Sequence, residues 1–574
     1  MIKGYRKSIM LLMAVILVAS VVLAGCGNKE ENNSANNAAN NSANNAANDA
    51  ADNSGNEANL AEEQVFKMNL FSEPPSLDSR TSQDQNSFTV LNAIFEGLTR
   101  LDENAAVQAG VAESWEISED GKTYTFTLRE DAKWSNGDPV KASDFEFAWK
   151  SALDPKLDPP SPYAYQLYYV KNAAKYNAGE ITDAAQVGVK ADGDRKLIVE
   201  LENATPYFLK LTAFFTYFPV HQATVEGNPA WSSEAATIIS NGPFKMGEWA
   251  HNESITLVKN ENYYGKDEIK FNEVRLAMIE EAATELGMYE TGELDWAGRP
   301  IGEIPLDMIP VLKEDPEANL QIKPIASAYY YVFNTTAPAF KNAKIRKALA
   351  MSVDRKMLVE QVTKGGQQPA YGFVGGVSGV EKPYREEYPD NYFTENVDEA
   401  KKLLAEGLAE EGLTAFPEVT LIHNTGEGHT KVATAITDMW RKNLGVEVKI
   451  ESQEFGVLLN NRTQLNYQVA RAGWGADYDD PMTFIDLFTS TSGNNDSGWK
   501  NPAYDELVKK AYAETDPKAR MGYIAEAEKM LMDEMVIMPL YYYTAIWMGK
   551  PNVKGVFIDY AGNIDFNRGY IAAE

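Results

Sequence analysis

Asp477 is the residue whose setting most plainly calls for chemistry. It lies in Gln468-Val-Ala-Arg471-Ala-Gly473-Trp474-Gly-Ala-Asp477-Tyr-Asp-Asp480-Pro481. The stretch opens as a strand, with Tyr467 and Val469 at period 2 among β-forming residues. At Gly473-Trp474-Gly475 two glycines permit a tight turn or the close approach of another backbone. Asp480 before Pro481 is the expected N-cap and N1 pair of a helix over the apolar run 482–488. Asp477 has no such local duty. A carboxylate held beside a Trp needs a cation or several donors once buried. The usual fate of an Asp in such a loop is to cap a turn or face solvent; the α-ammonium of a bound peptide is the cation it would take if buried.

Other chemistries lack their residues. There is no P-loop, no Gly-x-Ser-x-Gly and no His-Glu-x-x-His. Asp477, Asp479 and Asp480 lack the glycine and terminal Glu of a calcium loop. His423, Glu427 and His429 are spaced by flexible glycines and make a poor metal set, and Ser378 has no recognisable base. With 83 acids in the chain, carboxylate spacing carries no information. No catalytic residue, metal or cofactor is expected.

These residues must be carried by a large body. Residues 1–25 hold Lys3, Arg6 and Lys7, then an apolar run over 9–23, and no acid, which is the make-up of a secretory signal. The segment ends Leu23-Ala24-Gly25-Cys26, resembling a bacterial lipobox. That resemblance implies cleavage before Cys26 and acylation of its sulfur, each buried CH₂ contributing about 0.8 kcal/mol to membrane anchoring. Cys26 is the only cysteine, so the folded part has neither disulfide nor thiol nucleophile. Residues 28–61 are nearly all Asn, Ala, Ser, Asp and Glu. They bury too little apolar surface to order themselves and form a tether spanning on the order of 30 Å. Removing the three signal positives takes the formal charge from −30 to −33, which argues against nucleic acid and against docking directly on anionic lipid. No second run of 18 apolar residues follows the signal.

The mixed pattern predicts an α/β protein. Strands are expected at 65–70, 329–334 and 419–422, and helices at 88–98, 344–354 and 431–444. Hairpins should turn at Asp120-Gly121 and Asp192-Gly193. Ser143 is expected to cap a helix running to Leu153, and 241–258 to return as strands to the first sheet.

Ala112-Glu-Ser-Trp115, Phe126-Thr-Leu-Arg129, Trp134-Ser-Asn-Gly-Asp-Pro-Val-Lys-Ala-Ser-Asp-Phe145, Asn241-Gly-Pro-Phe244 and Ile345-Arg-Lys-Ala-Leu349 together resemble the peptide/nickel-binding family of solute-binding proteins. The block from Val469 to Pro481 is similar to its oligopeptide-binding branch. The resemblance implies a two-lobed periplasmic-binding-protein-like fold of type II, with hinged lobes and an extra α/β domain. Lobe I would be 62–95, 223–326 and 545–574, the extra domain 96–222, and lobe II 327–544. It implies an extracytoplasmic lipoprotein, monomeric and not an enzyme. Such a protein closes over an extended oligopeptide, binds no nucleic acid and delivers the peptide to the permease subunits of an ABC transporter.

By the same resemblance Asp477 receives the peptide's amine, and Arg471, Arg462 and His429 meet its C-terminal carboxylate at different peptide lengths. Gly473, Trp474 and Tyr330 would line the groove, and Gln83-Asp84-Gln85 would be a first-lobe strand along the peptide backbone. Two departures stand out. Ser327 and Gly475 occupy positions that some relatives join by a disulfide, and Val332 stands where some carry a Glu. Receptors of the same fold for signalling peptides, dipeptides, murein peptides or nickel chelates are the alternatives, as is a surface adhesin or chaperone-like lipoprotein.

Overall fold

A computed structural model describes residues 59–573. The signal segment, Cys26 and most of the tether lie outside the described residues.

Strand β1 (Val65–Asn69) begins a mixed sheet of eleven strands to which segment 96–222 contributes none. That segment makes its own antiparallel sheet from β2 (Ala112–Ile117), β3 (Thr123–Leu128), β4 (Val189–Asp192) and β5 (Lys196–Glu200), in the order β2-β3-β5-β4. Along β3, Tyr124, Phe126 and Leu128 are buried while the threonines between them are half-buried, the alternation of a sheet covered on one face. Both expected hairpins are present, Gly121 and Gly193 taking the positive φ (+68° and +75°) that their turns require.

The large sheet continues with β6 (Phe244–Ala250), β7 (Ser254–Lys259), β8 (Glu273–Ala277), β9 (Trp296–Gly298), β10 (Leu320–Phe333), β11 (Val419–Asn424), β12 (Val448–Gln453), β13 (Val469–Gly475) and β14 (Ile537–Gly549). Its order is β12-β11-β13-β10-β14-β9-β1-β8-β7-β6, with the short strand Gln368–Pro369 added on β14. On one side of the long pair β10/β14 lie β9, β1, β8, β7 and β6, the strands expected in lobe I; on the other lie β13, β11 and β12, those expected in lobe II. The two long strands therefore belong to both lobes. They pair in three registers, Leu320–Pro324 with Thr544–Met548, Ala328–Tyr329 with Tyr541–Tyr542 and Tyr330–Val332 with Ile537–Pro539, the main irregularity lying between Pro324 and Ala328 and a second between Tyr329 and Tyr330. Pro324 has no N–H to donate, so the ladder breaks where the chain passes from one lobe to the other.

Several expected boundaries move for local reasons. The 329–334 strand extends back to Leu320 because its first half is largely exposed and carries Gln321 and Lys323, while 325–333 is buried throughout. Helix α1 spans Gln85–Ile94 rather than 88–98, because Asp84 caps it, accepting from Ser87 N at 2.9 Å and Ser87 Oγ at 2.7 Å. Gln83-Asp84-Gln85 is thus a helix entry and not a strand. Ser143 does not cap α2 (Ala142–Ala152); the Asp144 carboxylate takes the Lys141 N–H at 2.9 Å, being the stronger acceptor. Helix α3 begins at Glu427 rather than Lys431 and ends at Leu444, where Gly445 turns left-handed (φ +69°).

Candidate functional site

A cavity of about 310 Å³ lies between the lobes, lined by β13, the loop after it, α1, the extra domain and the C-terminal segment. Asp477 sits on its wall. Tyr163 Oη donates to Asp477 Oδ1 at 3.3 Å, and Gln166 Nε2 to Oδ2 at 2.8 Å. Thr483 Oγ1 donates to Oδ2 at 3.4 Å and accepts from the Asp477 N–H at 3.0 Å. All of these partners are neutral. Burial pushes the Asp477 carboxyl well above the usual carboxylate range, and the like charge of Asp486 pushes it further. Asp486 is itself raised to about 7 by burial, despite hydrogen bonds from Tyr512 and Tyr478. The buried Oε1 of Gln166 has no partner, leaving a second acceptor beside the carboxylate. This corner is short of a cation.

Strand β13 offers a free edge. It pairs with β10 from Val469 to Gly475, but β11 meets it only at Leu421–Val469 and Ile422–Ala470. From Arg471 to Gly475, about 13 Å of strand, the ladder is occupied on one side alone. Arg471, Gly473, Trp474 and Gly475 all line the cavity. Trp474 is fixed by a hydrogen bond from its Nε1 to Thr483 O (2.7 Å) and by stacking on Tyr163 at 5.9 Å. A Cβ on Gly473 would lie 3.3 Å from Tyr543 Oη, so the glycine keeps this floor low.

The start of the free edge is cationic. Arg471 donates to Tyr543 Oη (2.7 Å) and Asn424 Oδ1 (3.3 Å) and lies over the Tyr329 ring, while its buried Nε has no partner. Arg299, from lobe I, stacks on the face of Tyr543 at 4.4 Å. Two guanidinium groups from opposite lobes thus share one tyrosine at the cavity wall. Behind them Tyr329 Oη meets His429 Nδ1 at 3.2 Å, and the Glu303 carboxylate lies 4.0 Å from His429 Nε2. Burial, followed by the neighbouring Arg471, holds His429 well below its ordinary pKa, so it is neutral. The loop carrying Arg299 and Glu303 is pinned by buried Glu285, which accepts from Gly298 N (2.6 Å), Glu303 N (3.0 Å) and Asn69 Nδ2 (2.9 Å).

Of the residues singled out from sequence, the structure gathers Asp477, Arg471, Arg462, Trp474, Gly473, Gln83, Asp84 and Gln85 around the cavity. Arg462, near the end of the helix Phe455–Thr463, is already neutralised by Asp496 at 2.6 Å. Gln85 donates to Asn563 at 2.7 Å. Tyr330 is not brought to the cavity; it is buried on the other face of β10 against Phe373. His429 stands one layer behind the wall. Asp480 does accept from Met482 N (2.9 Å), but its main engagement is a two-point ion pair with Arg520 at 2.7 and 2.8 Å. Sequence reasoning missed Arg299, Glu303, Tyr543, Tyr163 and Gln166. No local pattern marks them, because each acts on site residues distant in sequence, the nearest such pair, Tyr543 and Arg471, being 72 positions apart.

Comparison with known proteins agrees with this geometry. The family model for bacterial extracellular solute-binding proteins, family 5, middle region, matches residues 106–496. The chain is 43% identical to the oligopeptide-binding protein OppA of Bacillus subtilis over 512 residues, 88% of this chain and 92% of that protein. The crystal structure of Haemophilus influenzae OppA in complex with the peptide RPPGFSPFR superposes with a TM-score of 0.83 at 34% identity, covering 90% of this chain and all of the other. The unliganded open form of the murein tripeptide-binding protein MppA superposes less closely, with a TM-score of 0.59 at 32% identity over 90% of this chain and 99% of that one.

Proposed function

The chain belongs to the family 5 bacterial extracellular solute-binding proteins, and from that membership we propose that it captures oligopeptides outside the cytoplasm and hands them to an ABC importer. The single observation that carries this reading is the free edge of β13. An extended peptide can add a strand there, its backbone giving affinity that does not depend on side chains. The charges at the two ends suit a zwitterion: Asp477, lacking a cation, for the ammonium, and Arg471 with Arg299 for the carboxylate. Arg471 can hold a carboxylate bidentately, which a lysine cannot.

The lobes would rotate about the Pro324–Ala328 irregularity, with domain limits at 62–95, 223–326 and 545–574 for lobe I, 96–222 for the extra domain and 327–544 for lobe II. A closed arrangement of the lobes is supported by the poorer fit to an open relative. Lipidation at Cys26 would hold this monomeric receptor on the outer face of the membrane beside its permease.

Calorimetry with one tetrapeptide in three forms tests the reading. The unblocked peptide should bind one to one. N-acetylation or C-amidation should each cost on the order of 2–5 kcal/mol, the penalty for leaving a buried charge without its partner. Equal affinity for all three forms, or occupancy by a metal chelate or sugar in the purified protein, would overturn it.

A further inference from the structure

Glu303 is a half-buried lobe I carboxylate close to Arg299 and Arg471, the two arginines at the cationic end of the cavity. Its Oε2 accepts from Gly428 N at 3.3 Å, in the first turn of the 18-residue helix α3 of lobe II. Its Oε1 stands 4.0 Å from His429 Nε2. A Cβ at Gly428 would lie 3.3 Å from this carboxylate, so that glycine leaves room for it. Four positions on, Asp307 reaches the same helix through Lys431 at 2.9 Å. Arg471 and Arg299, the nearest cations, have no carboxylate partner of their own among the described residues and lie on the cavity side of Glu303.

We propose that Glu303 is the end stop of the peptide groove: an internal carboxylate seated at the helix terminus beside His429, occupying the place that the C-terminal carboxylate of a longer peptide would need. The inference rests on the peptide-binding reading above. A peptide whose carboxylate ends at Arg471 and Arg299 leaves Glu303 in place. One with another residue or two must bring a second anion against it, or expel it from its donors, and like charges in one buried site disfavour each other. Specificity for length is then set by repulsion rather than by added contacts.

The test is calorimetric binding of oligoalanines of three to seven residues, with free termini, to the full chain and to Glu303→Gln and Glu303→Ala. The glutamine keeps the shape and an acceptor for Gly428, so it guards against an alanine variant that fails to fold. The expected result is a shift in preference: affinity for the shorter peptides changes less than twofold, while the longer ones gain about tenfold relative to them, a difference of about 1.4 kcal/mol. A uniform change at every length would make Glu303 merely structural and overturn the end stop. So would an unchanged length profile. If the unaltered chain binds no oligoalanine of any length, the peptide reading itself falls and the proposal with it.

Discussion

Asp477 carries the sharpest consequence at the scale of single residues. With the cavity closed and empty, its carboxyl is raised by burial and by Asp486 and holds a proton more tightly than an ordinary aspartate does. An arriving ammonium favours the ionised form. Filling the closed site should therefore release a proton, and affinity for that state should strengthen as pH rises from the ordinary aspartate range toward the raised pKa. In stability the sign is opposite: a raised acid pKa favours the folded state at low pH, and that advantage is lost as pH rises through the folded value. Calorimetry in buffers of different ionisation enthalpy would detect the proton, and Asp477→Asn should abolish both its release and the discrimination against N-acetylated peptides. Unchanged release in that variant would move the proton elsewhere. The two arginines differ in the same physical way. Arg471→Ala should weaken binding of free carboxylates by tenfold or more, whereas Arg462→Ala removes a cation already paired with Asp496 and should mainly lower stability. Asp477 was legible in the sequence because its neighbours have local duties and it has none. Tyr163 and Gln166 were not, since a hydrogen bond across some three hundred residues leaves no periodic trace, and neither was Arg299, whose partner is the face of distant Tyr543.

Among the elements, the pair β10 and β13 fixes the groove. The sequence showed the tyrosine run and the strand before Gly473, but not that β10 crosses between lobes, because Pro324 and the polar residues before it hide the strand pattern. The departure at Ser327 and Gly475 becomes concrete in the fold. They are direct cross-strand partners, and a Cβ on Gly475 would lie 3.9 Å from Ser327 Oγ. Antiparallel partners have Cα atoms about 4.5–5.5 Å apart, inside the range a disulfide spans. A Ser327→Cys/Gly475→Cys variant, with Cys26 replaced by Ser, should therefore oxidise readily. The bridge lies wholly within lobe II, so it should stabilise by roughly 2–4 kcal/mol without hindering closure. Thermal unfolding with and without reductant, alongside peptide titration, checks this. A large loss of affinity on oxidation would mean that the Gly475 backbone has to move to receive the peptide.

For the whole molecule the question is what holds the lobes together. The contacts across the cleft include Lys210 to Asp479 at 3.7 Å, Tyr169 to Tyr478 at 3.1 Å, Arg520 to Tyr207 at 3.1 Å and Lys431 to Asp307 at 2.9 Å, beside the stacked rings of Tyr163 on Trp474 and Tyr207 on Tyr478. The two partly exposed ion pairs, Lys210–Asp479 and Lys431–Asp307, contribute about 0–1 kcal/mol each. Across the cavity, lone acids face arginines without carboxylates, an arrangement that gains most when a zwitterionic chain lies between them. Closure should accordingly depend on the ligand. A ligand can shift such an equilibrium only by its difference in affinity for the two states, and a peptide touching Asp477, Arg471 and lobe I together makes that difference large. Small-angle scattering should show the radius of gyration of the ligand-free protein falling when an unblocked peptide is added. An N-acetylated peptide at the same concentration should leave it nearly unchanged. The proposed anchor is tested separately: Cys26→Ser should free the protein from membranes while leaving both the scattering change and the affinity as they were. A tether that mattered to closure would show itself as a difference in either.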